Sequence, residues 1–306
     1  MAEDAAMSSS APAVPPARRT PPVRPEFESQ ALMHGHVAEV PRPLSAWERL
    51  MNVDAVRRAL IVLALMLVWQ LYAVLADNPL MFPTLSDTLR ALWDSLISGP
   101  LLARVWASIK VLLVGYAIGV ALAAAFTSLA VLTRFGGDLL ATLTAMLNPL
   151  PAIALLPLAL LWFGLGVASL IFVIVHSVLW AVALNAHTGF LSVSETQRLV
   201  GQNYGLRGLR YVALLLVPAA FPSILAGLKI GWAFAWRTLI AAELVFGVSS
   251  RSGGLGWFIF EKRNQLETDY VFAGLTCVVI IGLLVESVIF RTIETATVKR
   301  WGMQRP

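Results

Sequence analysis

Six apolar blocks of membrane length constrain this chain more than any other feature. They run at about Ala59–Ala76, Val105–Leu132, Leu139–Phe163, Val167–His187, Phe221–Phe246 and Tyr270–Phe290, with polar stretches between them. A bilayer core takes about 20 apolar residues of helix to cross. Only helices and closed barrels satisfy every backbone polar group there. Blocks this long predict an all-α membrane protein with six transmembrane helices. The composition agrees: 58% of the 306 residues are hydrophobic and 13% are charged, outside the range of soluble domains.

The formal charge of +5 does not point to nucleic acid. Lys and Arg flank the apolar blocks, where they act as topology signals. Arg57 and Arg58 hold the start of the first span inside, and Arg291, Lys299, Arg300 and Arg305 hold the C-terminus there. Both termini are therefore expected in the cytoplasm of a bacterial inner membrane. The lone cysteine, Cys277, lies in an apolar run and allows no disulfide within the chain. No metal site is expected, since His34 and His36 fall in a Pro-rich segment without further ligands.

Residues 1–45 carry eight prolines and few apolar residues, which predicts a disordered cytoplasmic tail. The remainder, residues 46–306, begins with a candidate interfacial helix at Trp47–Arg58. Asp77–Pro100 is expected outside, with a helix start at Pro83-Thr84 before Ser86 and Asp87. Gly115 and Gly119 form a small-xxx-small pair suited to close helix packing. Arg134–Asp138 reads as a short cytoplasmic turn, and Asn148, Pro149, Pro151 and Pro157 predict a broken third span. Gly247–Asp269 reads as an external loop.

The polar interruption between the fourth and fifth spans, ETQRLVGQNYGLRGLRYVALLLVPAAFP, begins at Glu195. Arg198, Arg207 and Arg210 place it inside. It predicts an amphipathic helix, a turn at Gly205, and re-entry to the bilayer at Pro218 and Pro222. Gly205 and Pro218, with Leu215 and Val217 between them, resemble the EAA loop (E-A-A-x3-G-x9-I-x-L-P) of permeases of binding-protein-dependent ABC importers. The name-giving E-A-A falls on Leu199, Val200 and Gly201, a departure from that pattern. PAAFPSILAGLKIGWAFAWRTLIAAE and GGLGWFI are similar to the nitrate/sulfonate/taurine branch.

That resemblance implies the type I ABC importer permease (MetI-like) fold and a coupling loop at about residues 192–217. Glu195, Gln197, Arg198, Gln202, Asn203, Tyr204, Gly205, Arg207 and Pro218 would then engage a cytoplasmic ABC ATPase dimer. It also implies a second permease copy, most simply a homodimer, and a periplasmic or lipid-anchored solute-binding protein. ATP and Mg would be bound by the ATPase. The chain has no Gly-Lys pair from which to build a phosphate-binding Walker loop, and no catalytic residue or cofactor of its own is expected.

Charges inside spans are functional candidates because facing lipid is costly; here they are Lys110, Lys229, Arg237, Glu243 and Glu286. At about 100° per residue, Trp232, Trp236 and Glu243 share a face of the fifth span, a candidate path lining. Arg237 offers a bidentate contact to a sulfonate, nitrate or similar oxyanion, and Asn148 is a further polar lining candidate. Pairing between helices and snorkelling are the structural alternatives for these charges. His176 and His187 share a face of the fourth span and read as packed, hydrogen-bonded histidines, a proton relay being the alternative. A gradient-driven secondary transporter and a non-transporting scaffold are the rival readings. The first leaves the Gly205–Pro218 loop unexplained, and the second calls for a sizeable soluble domain where the long non-membrane piece is the Pro-rich tail.

Overall fold

Long apolar sequences with small residues at close contacts fold here into packed helices. The computed structural model describes residues 52–246 and 253–302. The Pro-rich tail and Trp47–Met51 lie outside them. In chain order, α1 is Asp54–Ala76, α2 Leu85–Ile97, α3 Leu101–Leu132 and α4 Arg134–Leu147. A tight turn, Ala152–Leu155, leads into α5 (Leu156–Phe163), followed by α6 (Val167–Leu191) and α7 (Glu195–Asn203). Then come α8 (Gly208–Ala219), α9 (Phe221–Phe246), α10 (Leu255–Asn264) and α11 (Thr268–Lys299). No strand occurs among the described residues. Among the described residues five helices (α1, α3, α6, α9 and α11) are long and apolar enough to cross a membrane, and the bent α4–α5 pair, a broken span or a re-entrant loop, brings the number to six if it counts as one span.

Two compact units are distinguished, Met1–Ala59 and Leu60–Pro306. The described part of the first is the start of α1, where Arg57 pairs with Asp54. A separate interfacial helix ending at Arg58 is thus not observed: both arginines lie inside α1, which begins at Asp54.

In the second unit α6 is the central element, packed chiefly against α3 and α9. The small-xxx-small pair explains the approach of α3. A Cβ at Gly115 would fall 2.7 Å from Ile174 Cγ2, and one at Gly119 would fall 2.7 Å from Val178 Cβ. Neither residue has room for a side chain, so the backbones meet closely and gain dispersion contacts where no hydrophobic force separates helix from lipid. Ile174, Val178, Leu239 and Phe258 lie in the resulting core and are fully buried.

Local chemistry moved several boundaries. Arg134–Asp138 is not a turn but the start of α4. Thr133 caps that helix by accepting from the Gly136 N–H at 2.9 Å, so the chain turns within one residue. The third span is broken as its prolines predict: α4 and the Ala152–Phe163 segment meet at 87° across Asn148–Pro151. The last span extends past Phe290 to Lys299, beyond the end of its most apolar stretch. The segment after α9 is helical from Leu255, and residues 247–252 lie outside the described residues. Thr84 caps α2, accepting from the Asp87 N–H at 3.1 Å, as its sequence suggests.

Candidate functional site: a docking helix and two intramembrane charges

The polar stretch after α6 folds into a short helix ended by a defined turn. Ser194 caps α7, its hydroxyl accepting from the Gln197 N–H at 3.4 Å, and Glu195 complements the first turn. At the other end Gly205 adopts φ +73°, in the left-handed region. The Gly205 N–H reaches Gln202 O at 2.9 Å and the Leu206 N–H reaches Gly201 O at 3.0 Å. These two bonds define a Schellman turn, which favours glycine at the position Gly205 holds.

Gly201 is the buried residue of α7; a Cβ there would sit 2.9 Å from Leu215 Cδ1 on α8. The third residue of the departed E-A-A triplet is therefore still a site that demands a small side chain. Arg198 is half-buried and points back: Nη2 donates to Phe190 O at 2.6 Å and Nε to Val193 O at 3.1 Å. It thereby caps the C-terminal end of α6 and fastens α7 to that span. Glu195, Gln197, Gln202, Asn203, Gly205, Arg207 and Pro218 are exposed. Tyr204 is 83% exposed at the tip, with Leu199 and Val200 also exposed.

The second part of the site lies in α9. Trp232, Trp236 and Glu243 do share a face, and within this chain that face is turned inward. Trp236 is buried and its Nε1 donates to Val278 O of α11 at 3.3 Å. Trp232 packs edge-on against Tyr116 of α3, with ring centroids 5.4 Å apart. Glu243 is 5% exposed. Ser108 Oγ of α3 lies 2.7 and 2.8 Å from its two carboxylate oxygens and donates to the carboxylate. The Gly256 N–H donates to Glu243 Oε2 at 2.8 Å, and the Leu255 N–H donates to Ser108 Oγ at 2.8 Å. Since Gly254 has no side chain to cap α10, residues from two other helices satisfy its first N–H groups. Arg104 secures the same region, donating from Nη1 to Gly253 O at 2.9 Å.

Arg237 takes the opposite course. It is exposed, stacks 5.3 Å from the Phe234 ring, and donates from Nε to Ala233 O at 3.0 Å. No carboxylate among the described residues lies within salt-bridge distance of it. It lines a cavity of about 390 Å³ together with Asn148 at the α4–α5 break and with His176, Ser177, Trp180 and Thr238. Arg237 and Asn148, far apart in sequence, thus share one cavity, whereas Glu243 and Trp236 are held in the core. Arg237 and Glu243 do not pair. Lys229 pairs with Glu294 of α11 at 2.6 Å, Lys110 lies over the Trp106 ring at 5.3 Å, and Glu286 is exposed.

His176 departs from expectation: both ring nitrogens lack a hydrogen-bond partner among the described residues. Ser108 and Trp180 carried no sequence signal beyond helical spacing. Asn148 and Arg237, both candidates from the sequence, do line the cavity; the i,i+4 relation of His176 to Trp180 was the further clue to its other wall.

A polytopic helical bundle with a capped polar helix between two apolar helices has the architecture of a multi-pass membrane protein. The family described as "binding-protein-dependent transport system inner membrane component" matches residues 115–299, and the chain belongs to it. Over 221 residues it is 31% identical to a putative ABC transporter permease protein of Methanocaldococcus jannaschii, covering 71% of this chain and 80% of that one. Over 220 residues it is 29% identical to the putative aliphatic sulfonates transport permease protein SsuC of Escherichia coli, covering 72% and 82%. The taurine transport system permease protein TauC of Escherichia coli is 36% identical over 139 residues, covering 45% and 49%. The chain is a multi-pass inner-membrane permease subunit of a type I ABC importer, of the nitrate/sulfonate/taurine branch.

Proposed function

We propose that this permease is driven by a separate ATPase dimer docked on α7 and α8, and that it passes a small organic or inorganic anion. The observation that carries the docking is the exposed tip of α7, with Tyr204 at its end and Leu199 and Val200 beside it. An aromatic anchor with a polar rim of Gln197, Gln202 and Asn203 suits a groove on a partner. Arg198 supports the transmission, because its bonds to Phe190 O and Val193 O make a push on α7 a push on α6. Closure of the ATPases would then move packed spans as a rigid body. ATP and Mg belong to the partner in this reading, and solute arrives on a binding protein outside the membrane.

One docking helix per chain and two ATPases per complex call for two permease copies, most simply identical. Both termini are assigned to the cytoplasm on the basis of flanking Lys and Arg. Anion transport is supported by relatives named for sulfonates and taurine. In the path, Asn148 and Arg237 are assigned to the solute side, with Trp232, Trp236 and Glu243 forming the wall behind them.

The test is solute-stimulated ATP hydrolysis and uptake in proteoliposomes holding the permease, its ATPase and its binding protein. Gly205→Asp places a side chain in a left-handed turn and a charge at the docking surface. Loss of both activities in a variant that still inserts supports the reading. If no ATPase co-purifies and uptake follows an ion gradient, the coupling assignment is wrong.

A further inference from the structure

We infer that two adjoining turns, at residues 77–82 and 265–269, form the surface on which the solute-binding protein docks, with Leu266 as its anchor. The inference rests on the permease reading for the partner and on the geometry of the turns for the place. Among the described residues, Asp77 (φ +44°) and Leu266 (φ +58°) are the two residues other than glycine in the left-handed region. Aspartate is enriched in that region. Leucine is not, because its Cβ crowds the neighbouring backbone and it has no polar group to bond locally in return.

The turn at Leu266 is the same motif that ends α7. The Leu266 N–H reaches Arg263 O and the Glu267 N–H reaches Lys262 O, each at 3.1 Å, which makes a Schellman turn at the end of α10. Where α7 has Gly205, α10 has Leu266. Packing of the leucine against its own chain would offset the strain, yet its side chain is left outside: Leu266 is 73% exposed. The strain therefore has no return within the chain, the pattern of a side chain held in position for a contact made elsewhere.

The second turn supplies the rest of the patch. Thr268 Oγ1 donates to Leu80 O at 2.7 Å. Phe82 packs edge-on against Phe272, with ring centroids 5.4 Å apart, so the two turns lie side by side. Leu80 and Met81 are 69% and 77% exposed. Lys262 fastens the α10 turn from within, pairing with Glu267 and lying 4.7 Å over the Tyr270 ring. Apolar side chains on turns already fixed in this way lose little freedom on binding, which favours affinity.

Lipid does not suit this patch. α9 carries the chain away from the end that holds α7 and α8, and α11 begins at the far end, so both turns lie past the outer ends of α1 and α11. Asp77, Arg263, Asn264 and Gln265 beside the patch are exposed, and charged groups of this kind belong in water. Exposed apolar side chains that face water in a cluster mark a protein contact. In the permease reading the soluble partner on that side is the binding protein. Its docking face would carry an apolar recess for Leu266, with Leu80 and Met81 at the margin. A second permease copy is the other candidate, and the test separates the two.

The test is the affinity of the purified binding protein for the permease–ATPase complex in nanodiscs, read by biolayer interferometry, with a detergent melt of each variant. Leu266→Gly relieves the strain and removes the anchor. Affinity should fall by roughly 10–30-fold, the loss of a hot-spot side chain, while the unfolding midpoint stays at or above that of wild type. Met81→Ser should weaken binding by about 2–10-fold, and it decides the matter if Leu266→Gly fails to assemble. Leu266→Met keeps an apolar side chain of similar reach and should bind like wild type. Wild-type affinity in both Leu266→Gly and Met81→Ser overturns the inference. So does a lowered midpoint in Leu266→Gly, which would make the leucine a structural group, or a change from dimer to monomer in mass photometry, which would assign the patch to a second copy. If wild type itself does not take up the binding protein, the delivery reading fails with the inference. If wild type and variants take it up equally, the docking surface alone is wrong.

Discussion

Arg237 and Glu243 sit six positions apart on α9, both charged in the same membrane-spanning helix, and the fold treats them in opposite ways. At about 100° per residue they face different directions. Glu243 is directed into the contact of α9 with α3 and α10, where Ser108 and the Gly256 N–H meet both of its oxygens. Arg237 is directed at the α4–α5 break, where proline has removed the continuous helix that would otherwise fill the space. A polar group fully met by its neighbours holds a structure together. One left unmet beside a cavity is available to something that arrives from outside. The contrast suggests that an intramembrane charge is read by its partners rather than its presence.

The largest expected effect breaks the closed half of this comparison. Glu243→Ala strands Ser108 Oγ and the Gly256 N–H in a dry site, at about 1–3 kcal/mol for each unsatisfied group. Thermal unfolding in detergent should show a clear drop in midpoint. A midpoint unchanged from wild type would mean that water already reaches the knot. Gly254→Ala tests the same place by crowding it. A Cβ at that position would collide with Glu243 Oε1 and Ser108 Oγ, and overpacking costs about 1–3 kcal/mol. If the collision is the cause, Gly254→Ala and Ser108→Gly should couple strongly in a double-mutant cycle; additive losses would argue otherwise.

Ser108→Ala is the milder test. It removes the donor to Glu243 and the acceptor for the Leu255 N–H together. Polar contacts between membrane helices average about 0.6 kcal/mol and reach about 1.7 kcal/mol, so its loss should fall within that span. A loss as large as that of Glu243→Ala would mean that the serine, and not the carboxylate, organises the start of α10.

How much of this was legible in advance depends on the range of the interaction. Spans, helix caps and the Gly205 turn arise from local signals: apolar length, Thr84 and Ser194 before their helices, a glycine where φ is positive. The shared face of Trp232, Trp236 and Glu243 followed from helical period alone. What the period does not contain is the neighbour that face meets. That neighbour is a serine more than a hundred residues earlier, on α3, and the start of α10, within what reads as a loop. The cavity was hidden for the same reason. Asn148, His176 and Arg237 lie on three separate elements, and only the 87° break brings the first of them to the other two. Arg198 was legible as basic and cytoplasmic, yet its bonds to the end of α6 depend on a turn geometry that polarity does not encode.

The smallest predicted effect on stability belongs to the open half of the comparison. Arg237→Gln removes a charge whose bond in the described structure is to a carbonyl of its own helix, Ala233 O, and whose other contact is the Phe234 ring. Glutamine keeps the polarity and much of the length, and relieves an uncompensated cation. The unfolding midpoint of the variant should therefore stay within the ~0.5 kcal/mol band of substitutions that disturb no packed or paired group. The measurement is the same detergent melt used for Glu243→Ala, so the two charges are compared under one condition. A marked loss of stability at Arg237 would mean that the guanidinium is a structural group paired across an interface, with a second copy or with lipid, and the distinction between the two ends of α9 would collapse. A melt that stays flat while anion binding falls would separate what the two charges do within a single helix.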